Sequence, residues 1–216
     1  MDVSKRKPFA IVVVCFLPER LRAFLESFYT HSVGTTEHDL YLIHNAWEVS
    51  GVENRYVRTK EQVDELTSIM RGCNYPKTIL ERENIGEDVG AHWHAYNLLK
   101  KKYDYIFFVN EVATINEDNW LDGFYEAYEN NLDIVAASPQ VCPGIEYVYC
   151  MPTTYWSIRT DFPIDWTCPK SRAESELQEM ELVWPQAQKA RKHIAQVGDG
   201  YVISYKVKRF NPEGVY

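Results

Sequence analysis

The chain has 216 residues, 45% of them apolar and 25% charged, which suits one domain of ordinary globular size and excludes a disordered or fibrous chain. A formal net charge of -8 argues against a nucleic-acid binder, because neutralising phosphates takes a basic surface. Five cysteines, at 15, 73, 142, 150 and 168, contain no C-x-x-C, which argues against a disulfide framework or zinc knuckle and fits reduced thiols in a cytoplasmic setting.

Lys5 to Lys7 and the apolar run 9–17 imitate a signal peptide, but the run stops at Pro18-Glu19-Arg20 with no small-residue cleavage pattern. Its β-branched content predicts a buried strand over 9–15. Pro18 opens a helix with Leu21, Phe24, Leu25 and Phe28 at helical spacing. A strand follows over 40–45, then a helix over 61–71 closed by Gly72, then a strand over 77–82. The turn 81–90 leads into a surface helix over 87–102, with Val89, Trp93, Tyr96 and Leu99 along one face. Residues 104–110 are the most strand-like in the chain and predict the central strand. A helix over 117–130 and a strand over 133–138 complete the alternation, and no apolar run approaches the roughly 20 residues of a membrane helix.

Five strands alternating with four helices predict an α/β fold, a mostly parallel sheet covered on both faces. Beyond Pro139, short strands near 142–149 and 155–159 predict a small antiparallel C-terminal appendage. Helices over 172–184 and 186–193, broken at Pro185, precede a strand over 201–207. Ligands of such sheets bind at the carboxyl ends of the strands. Three strand ends there are polar: Asn45, the turn 83–88, and Asn110-Glu111. Gly86 and Gly90 allow a sharp turn and a close backbone approach, and the first N–H groups of the following helix suit an anion.

The opening strand, the Asn84-x-Gly86-x-Asp88-x-Gly90 turn, the phrase from Tyr103 to Glu111 followed by Asn119-Trp120-Leu121, and a late acidic helix come in the order found in a known family. Over roughly residues 9 to 205 the sequence resembles the GT-A glycosyltransferases, especially the family-2-like and rhamnan-synthesis-type enzymes. The resemblance implies a nucleotide-sugar donor lying across the first strand ends, a saccharide acceptor, and transfer of a hexose or deoxyhexose by inverting displacement. It divides one domain into a nucleotide-sugar half, 9–138, and an acceptor-side half, 139–216.

In that frame Asn45 and Asp88 are candidates for the base and ribose, and Asn84 and Gly86 shape the pocket. Each polar residue has an ordinary alternative: Asn45 ends a strand, Asn84 caps a helix and Asp88 complements its dipole. The family places an Asp-x-Asp pair after the central strand to hold Mg2+ or Mn2+ against the diphosphate. Here Asn110 and Glu111 offer an amide oxygen and one carboxylate, while Val112 offers nothing. Three readings follow: a weak divalent-cation site through Glu111, a metal-independent enzyme, or a catalytically silent nucleotide- or carbohydrate-binding module.

The late helix carries Glu174, Glu176, Glu179 and Glu181. Glu179 best matches the family's catalytic base and Glu176 is second, since an ionised carboxylate there accepts the acceptor hydroxyl proton. Trp156, Arg159 and Trp166 lie where an acceptor sugar would stack or pair, although packing explains the tryptophans equally well. His92 and His94, two apart on a helix, point away from each other and make a poor metal pair. Gly198-Asp199-Gly200 reads as a turn.

Overall fold

The structure, a computed structural model, describes residues 7–48, 57–129, 134–136, 140–141, 149–150, 155–181, 194–199 and 202–211. Its first half is a run of alternating units: β1 (Lys7–Cys15), α1 (Pro18–Thr30), β2 (His38–Glu48), α2 (Lys60–Gly72), β3 (Lys77–Asn84), α3 (Glu87–Leu99) and β4 (Tyr103–Asn110). There follow β5 (Thr114–Ile115), α4 (Trp120–Glu129), β6 (Ile134–Ala136), β7 (Gln140–Val141), β8 (Tyr149–Cys150) and β9 (Tyr155–Arg159). The chain continues through α5 (Arg172–Glu181), β10 (Ile194–Asp199) and β11 (Val202–Asn211).

Local chemistry accounts for the regular elements. Strand β1 is buried from Phe9 to Cys15, so both of its faces are apolar. Helix α1 begins with Pro18 in its first turn, where the missing N–H costs nothing, and buries Leu21, Phe24, Leu25 and Phe28. Helix α2 starts at a capping box in which Gln62 N donates to Thr59 Oγ1 and Thr59 N donates to Gln62 Oε1.

The sheet has nine strands in the order β3-β2-β1-β4-β9-β6-β10-β11-β5. Strands β1 to β4 run parallel, with Val12 paired to Tyr41 on one side and to Phe108 on the other. The antiparallel C-terminal part is present but is built into this sheet: β9 sits between β4 and β6, antiparallel to both. Only β7 and β8 form a separate two-stranded ribbon among the described residues. Three strands were not anticipated, β7 of this ribbon among them. Strand β5 is two residues long and exists through its pairing with β11, and β10 is held between β6 and β11. Gly198 and Asp199, expected in a turn, instead end β10, where Asp199 pairs with Val202. The helix expected over 186–193 and all but Tyr149 of the strand expected near 142–149 lie outside the described residues.

Two cores flank the sheet. On one face, Ile11, Val13, Leu42 and Phe107 meet α1, α2 and α4. On the other, Val12, Ile43 and Phe108 meet α3 and residues that follow β9. Helix α3 is not the surface helix that its sequence predicts, since Gly90, Ala91, His92, Ala95, Tyr96 and Leu99 are all buried. Residues 160–170 cross its outer side, so it is covered twice. No helix among the described residues is long and apolar enough to cross a membrane.

Candidate functional site

The strand order reverses between β1 and β4, and at such a reversal an open α/β sheet binds its ligands in the crevice outside the carboxyl ends of the strands. Strand alternation sends neighbouring residues at this edge to opposite faces of the sheet. Asn45 and Asn110 lie on the α3 face, while His44 and Glu111 lie on the α1 face.

On the α3 face a closed network holds the turn that precedes α3. Arg82 donates to Asn45 Oδ1 at 2.6 Å, to Ile85 O at 2.6 Å and to Glu87 O at 3.4 Å. Asn45 Nδ2 donates to the same Glu87 carbonyl at 3.4 Å, and both residues are buried. Burial lowers the pKa of the Arg82 guanidinium, with Cys168 and Glu83 opposing the shift, and the group stays charged at neutral pH. Asn84, also buried, donates through Nδ2 to both carboxylate oxygens of Glu48, at 3.0 and 2.9 Å.

Glu48 also faces Arg58 at 3.7 Å. The Arg58 guanidinium donates to Asn45 O and to Phe16 O and lies 4.4 Å from the centroid of the Phe16 ring. Arg58 thereby ties the ends of β1 and β2 together. Neither Arg58 nor Arg82 figures in the sequence expectations. Arg82 had a signal, since it occupies the inward register continued from Leu80. Arg58 follows no pattern, because its partners are backbone carbonyls far away in sequence.

Gly86 caps α3 in the left-handed region, at φ 70°. A Cβ there would overlap the Pro169 ring and sit 2.6 Å from the Pro169 carbonyl oxygen. Gly90 is required by a different contact, since its Cβ would run into the Ile85 carbonyl oxygen. The start of α3 carries Glu87 and Asp88, and Val89 N donates to Asp88 Oδ1 at 3.0 Å. These carboxylates already complement the helix dipole, so the α3 N-terminus is poorly suited to a phosphate. Asn110 Nδ2 donates to Asp88 Oδ2 at 3.4 Å and closes the α3 side of the crevice.

On the α1 face Glu111 is buried and accepts Leu17 N through Oε1 at 3.2 Å, at the N-terminus of α1. Its Oε2 has no hydrogen-bond partner among the described residues. Burial pushes the carboxyl from its ordinary 4.5 up to about 7; the N–H groups of Glu111 and Leu17 and the Arg20 charge pull the other way, and Asp88 adds to the rise. His44 is also buried, and neither ring nitrogen has a partner among the described residues. Burial, then the nearby Arg58 charge, lowers its pKa from 6.5 to about 4, so the ring is neutral at pH 7.

The acceptor-side expectations fare unevenly. Trp156 is buried: its ring centroid is 4.6 Å from that of Phe108, and its Nε1 donates to His92 Nδ1 at 3.4 Å. Trp166 packs on Tyr96 and Trp156 while accepting Trp93 Nε1 through its carbonyl at 3.0 Å. Arg159 is displaced from the site altogether. Because β9 runs antiparallel, Arg159 pairs with Tyr105 near the start of β4, about 17 Å along the strand from Asn110, and it binds Asp161. Glu176 and Glu179 fall on α5, which packs on α3, and their side chains lie outside the described residues.

A divalent cation would find Asp88 engaged by Val89 and Asn110, Glu111 held against α1, and Val112 without a ligand atom. No group of three metal-ligating side chains occurs among the described residues, and these residues do not fit a protein-built cation site. A cavity of about 620 Å³ between α1 and α2, lined by Arg22, Tyr29, Ile69 and Cys73, lies at the opposite end of the sheet and holds none of the expected residues.

No protein-family model and no curated protein sequence matches the chain. Solved structures do match in fold. Residues 1–349 of TarS from S. aureus superpose with a TM-score of 0.59 at 15% identity, over 91% of this chain and 60% of that one. The mannosyltransferase PcManGT from Pyrobaculum calidifontis, in complex with GDP-Man and Mn2+, gives 0.50 at 12% identity, over 94% of this chain and 58% of that one. A 4-diphosphocytidyl-2C-methyl-D-erythritol synthase from Anaerococcus prevotii gives 0.52 at 11% identity, over 96% of this chain and 94% of that one. The chain thus spans about 60% of the length of the TarS and PcManGT chains. The likeness establishes a GT-A-like α/β fold.

Proposed function

We propose that this chain of GT-A-like fold is a nucleotide-sugar-dependent glycosyltransferase, moving a hexose or deoxyhexose to a saccharide acceptor by inverting displacement. The observation that carries the reading is the reversal of strand order between β1 and β4, whose carboxyl ends carry Asn110 on Asp88 at one face and Glu111 on Leu17 at the other. The same folds that match in outline include chains in complex with UDP, UDP-GlcNAc and GDP-Man.

In this reading the donor lies over the strand ends, where Asp88 accepts from its ribose hydroxyls and the Asn110 amide faces its diphosphate. Asn45, Asn84 and Gly86 set the shape of the turn beneath it, held by Arg82 and Glu48. A carboxylate of α5, Glu179 or else Glu176, takes the proton of the acceptor hydroxyl as its oxygen bonds to the anomeric carbon and the nucleoside diphosphate departs. The donor set present gives no reason to route a step through a cation.

The rival is a silent nucleotide- or carbohydrate-binding module, favoured by Val112 in place of a carboxylate. Thermal melting with UDP, GDP or CDP tests the common ground: at saturating ligand the midpoint rises, and Asp88→Ala abolishes the rise. No shift with any of them removes the donor reading. Donor turnover, measured with and without Mn2+, then separates enzyme from module, and Glu179→Gln and Glu176→Gln locate the base.

A further inference from the structure

Residues 160–171 form a strap over α3, fixed at several points. Thr160 N donates to Asp104 O at 2.9 Å, and Thr160 Oγ1 donates to Tyr103 O at 2.8 Å. Tyr96 OH on α3 donates to Thr160 O at 3.3 Å, and Trp93 Nε1 donates to Trp166 O at 3.0 Å. Buried Pro169 then lies on Gly86, closely enough that the glycine has room for no side chain.

Helix α5 starts three residues after the strap meets the turn at Pro169, and its first turn is tied back to the strap. Glu174 N donates to Ser171 Oγ at 3.2 Å, Lys170 N donates to Glu174 Oε2 at 2.7 Å, and Gln178 Nε2 donates to Thr167 Oγ1 at 3.0 Å. This variant of a capping box makes the strap and the α5 N-terminus one unit. The turn side of the contact is equally constrained, because Arg82 holds Ile85 O and Glu87 O on either side of Gly86. Two braced units therefore meet at the Gly86–Pro169 contact, beside the direct packing of α5 on α3.

We propose that the Gly86–Pro169 contact is a positioning joint, through which the donor turn sets where the acidic helix α5 stands. The proposal rests on the transferase reading for its purpose, since it couples the donor-holding turn to the helix assigned the base, but its mechanical content stands on the packing alone. A small displacement of a catalytic group costs up to about a hundredfold in rate. Loss of the joint therefore lowers kcat while leaving donor affinity nearly intact.

The test uses Gly86→Ala, which forces a Cβ into Pro169, and Pro169→Ala, which removes the ring and leaves the turn untouched should the first variant fail to fold. Amide exchange over 172–181 is expected to quicken about tenfold in Pro169→Ala, with exchange in β1 and the centre of α3 unchanged as the control for a global loss. In Pro169→Ala, affinity for UDP or GDP, by calorimetry, stays within about threefold, and kcat falls about tenfold to a hundredfold at little-changed donor KM. Unchanged α5 exchange overturns the joint, as does a loss of kcat matched by an equal loss of affinity. If the exchange responds while the unmutated protein binds neither nucleotide, the joint stands and the transferase reading falls.

Discussion

The two faces of the sheet meet the candidate crevice with opposite polar economies. On the α3 face, Arg82 and Asn45 satisfy one another and both carbonyls of the turn, and of the buried His92 ring only Nε2 lacks a partner among the described residues. On the α1 face, one residue away along the same strands, His44 and the Glu111 Oε2 atom lack partners among the described residues. The dyad period of a strand puts these two environments side by side. A satisfied buried network specifies one geometry, whereas an unsatisfied one holds free energy that a proton or a ligand can release. The α3 face thus reads as the frame of the site and the α1 face as its responsive wall.

Removing Arg82 breaks this contrast most sharply. In Arg82→Met the Asn45 side chain and the Ile85 carbonyl lose their closest donors while still buried, at a cost of about 3 kcal/mol or more. For a chain of this size that lowers the melting midpoint by about 10 °C. Arg82→Lys recovers only part, because one ammonium cannot span the fork. A loss under about 1 kcal/mol in urea titration would mean the network is not the frame.

Glu111→Gln probes the other wall and has the next largest effect. Its folded pKa, about 7, lies above the ordinary 4.5, so the folded state binds the proton more tightly. Stability from this group is therefore fully present below about pH 4.5 and declines as pH rises through 7. Gln keeps an oxygen for Leu17 N and cannot ionise. The variant is expected to gain about 1–3 kcal/mol over the unmutated chain at pH 8 and to gain little at pH 4.5. Equal gains at both pH values would show that Glu111 does not titrate in this window.

The parallel half of the fold was legible because each element there is long and has one clean period. Alternation or continuous apolar character marked β1 to β4, and i, i+3, i+4 spacing marked α1. Strands β5 and β10 were not legible, since a two-residue strand has no period and β10 is defined by the neighbours that flank it. At the site, the positions Asn45, Asp88, Asn110 and Glu111 came from strand ends, yet their partners did not. Nothing local says that Glu111 turns towards Leu17, or that Arg159 is carried to the far edge by an antiparallel strand. Helix α3 shows the same limit in another form, because its outer cover arrives from residues some 70 positions later, at Trp166 onto Trp93.

His44→Leu gives the smallest change and the finest resolution. At pH 8 the imidazole is neutral, and replacing a buried polar ring without partners by an apolar side chain is expected to be neutral or to stabilise by about 1 kcal/mol. The pH dependence carries more information. With a folded pKa near 4 against 6.5 unfolded, His44 leaves stability intact above pH 6.5 and removes it as pH falls towards 4. His92, buried against Phe108 and Trp156, has the same lowered value from the same cause, burial first, so it sustains part of the acid decline when His44 is gone. The slope in His44→Leu between pH 6.5 and 4 should therefore be shallower but not flat. It is opposed by Glu111 over much of that range, so His44→Leu and Glu111→Gln tilt the stability profile in opposite directions. A destabilisation beyond about 2 kcal/mol at pH 8 in His44→Leu would show that the ring nitrogens are engaged, and that the α1 face is as satisfied as its neighbour.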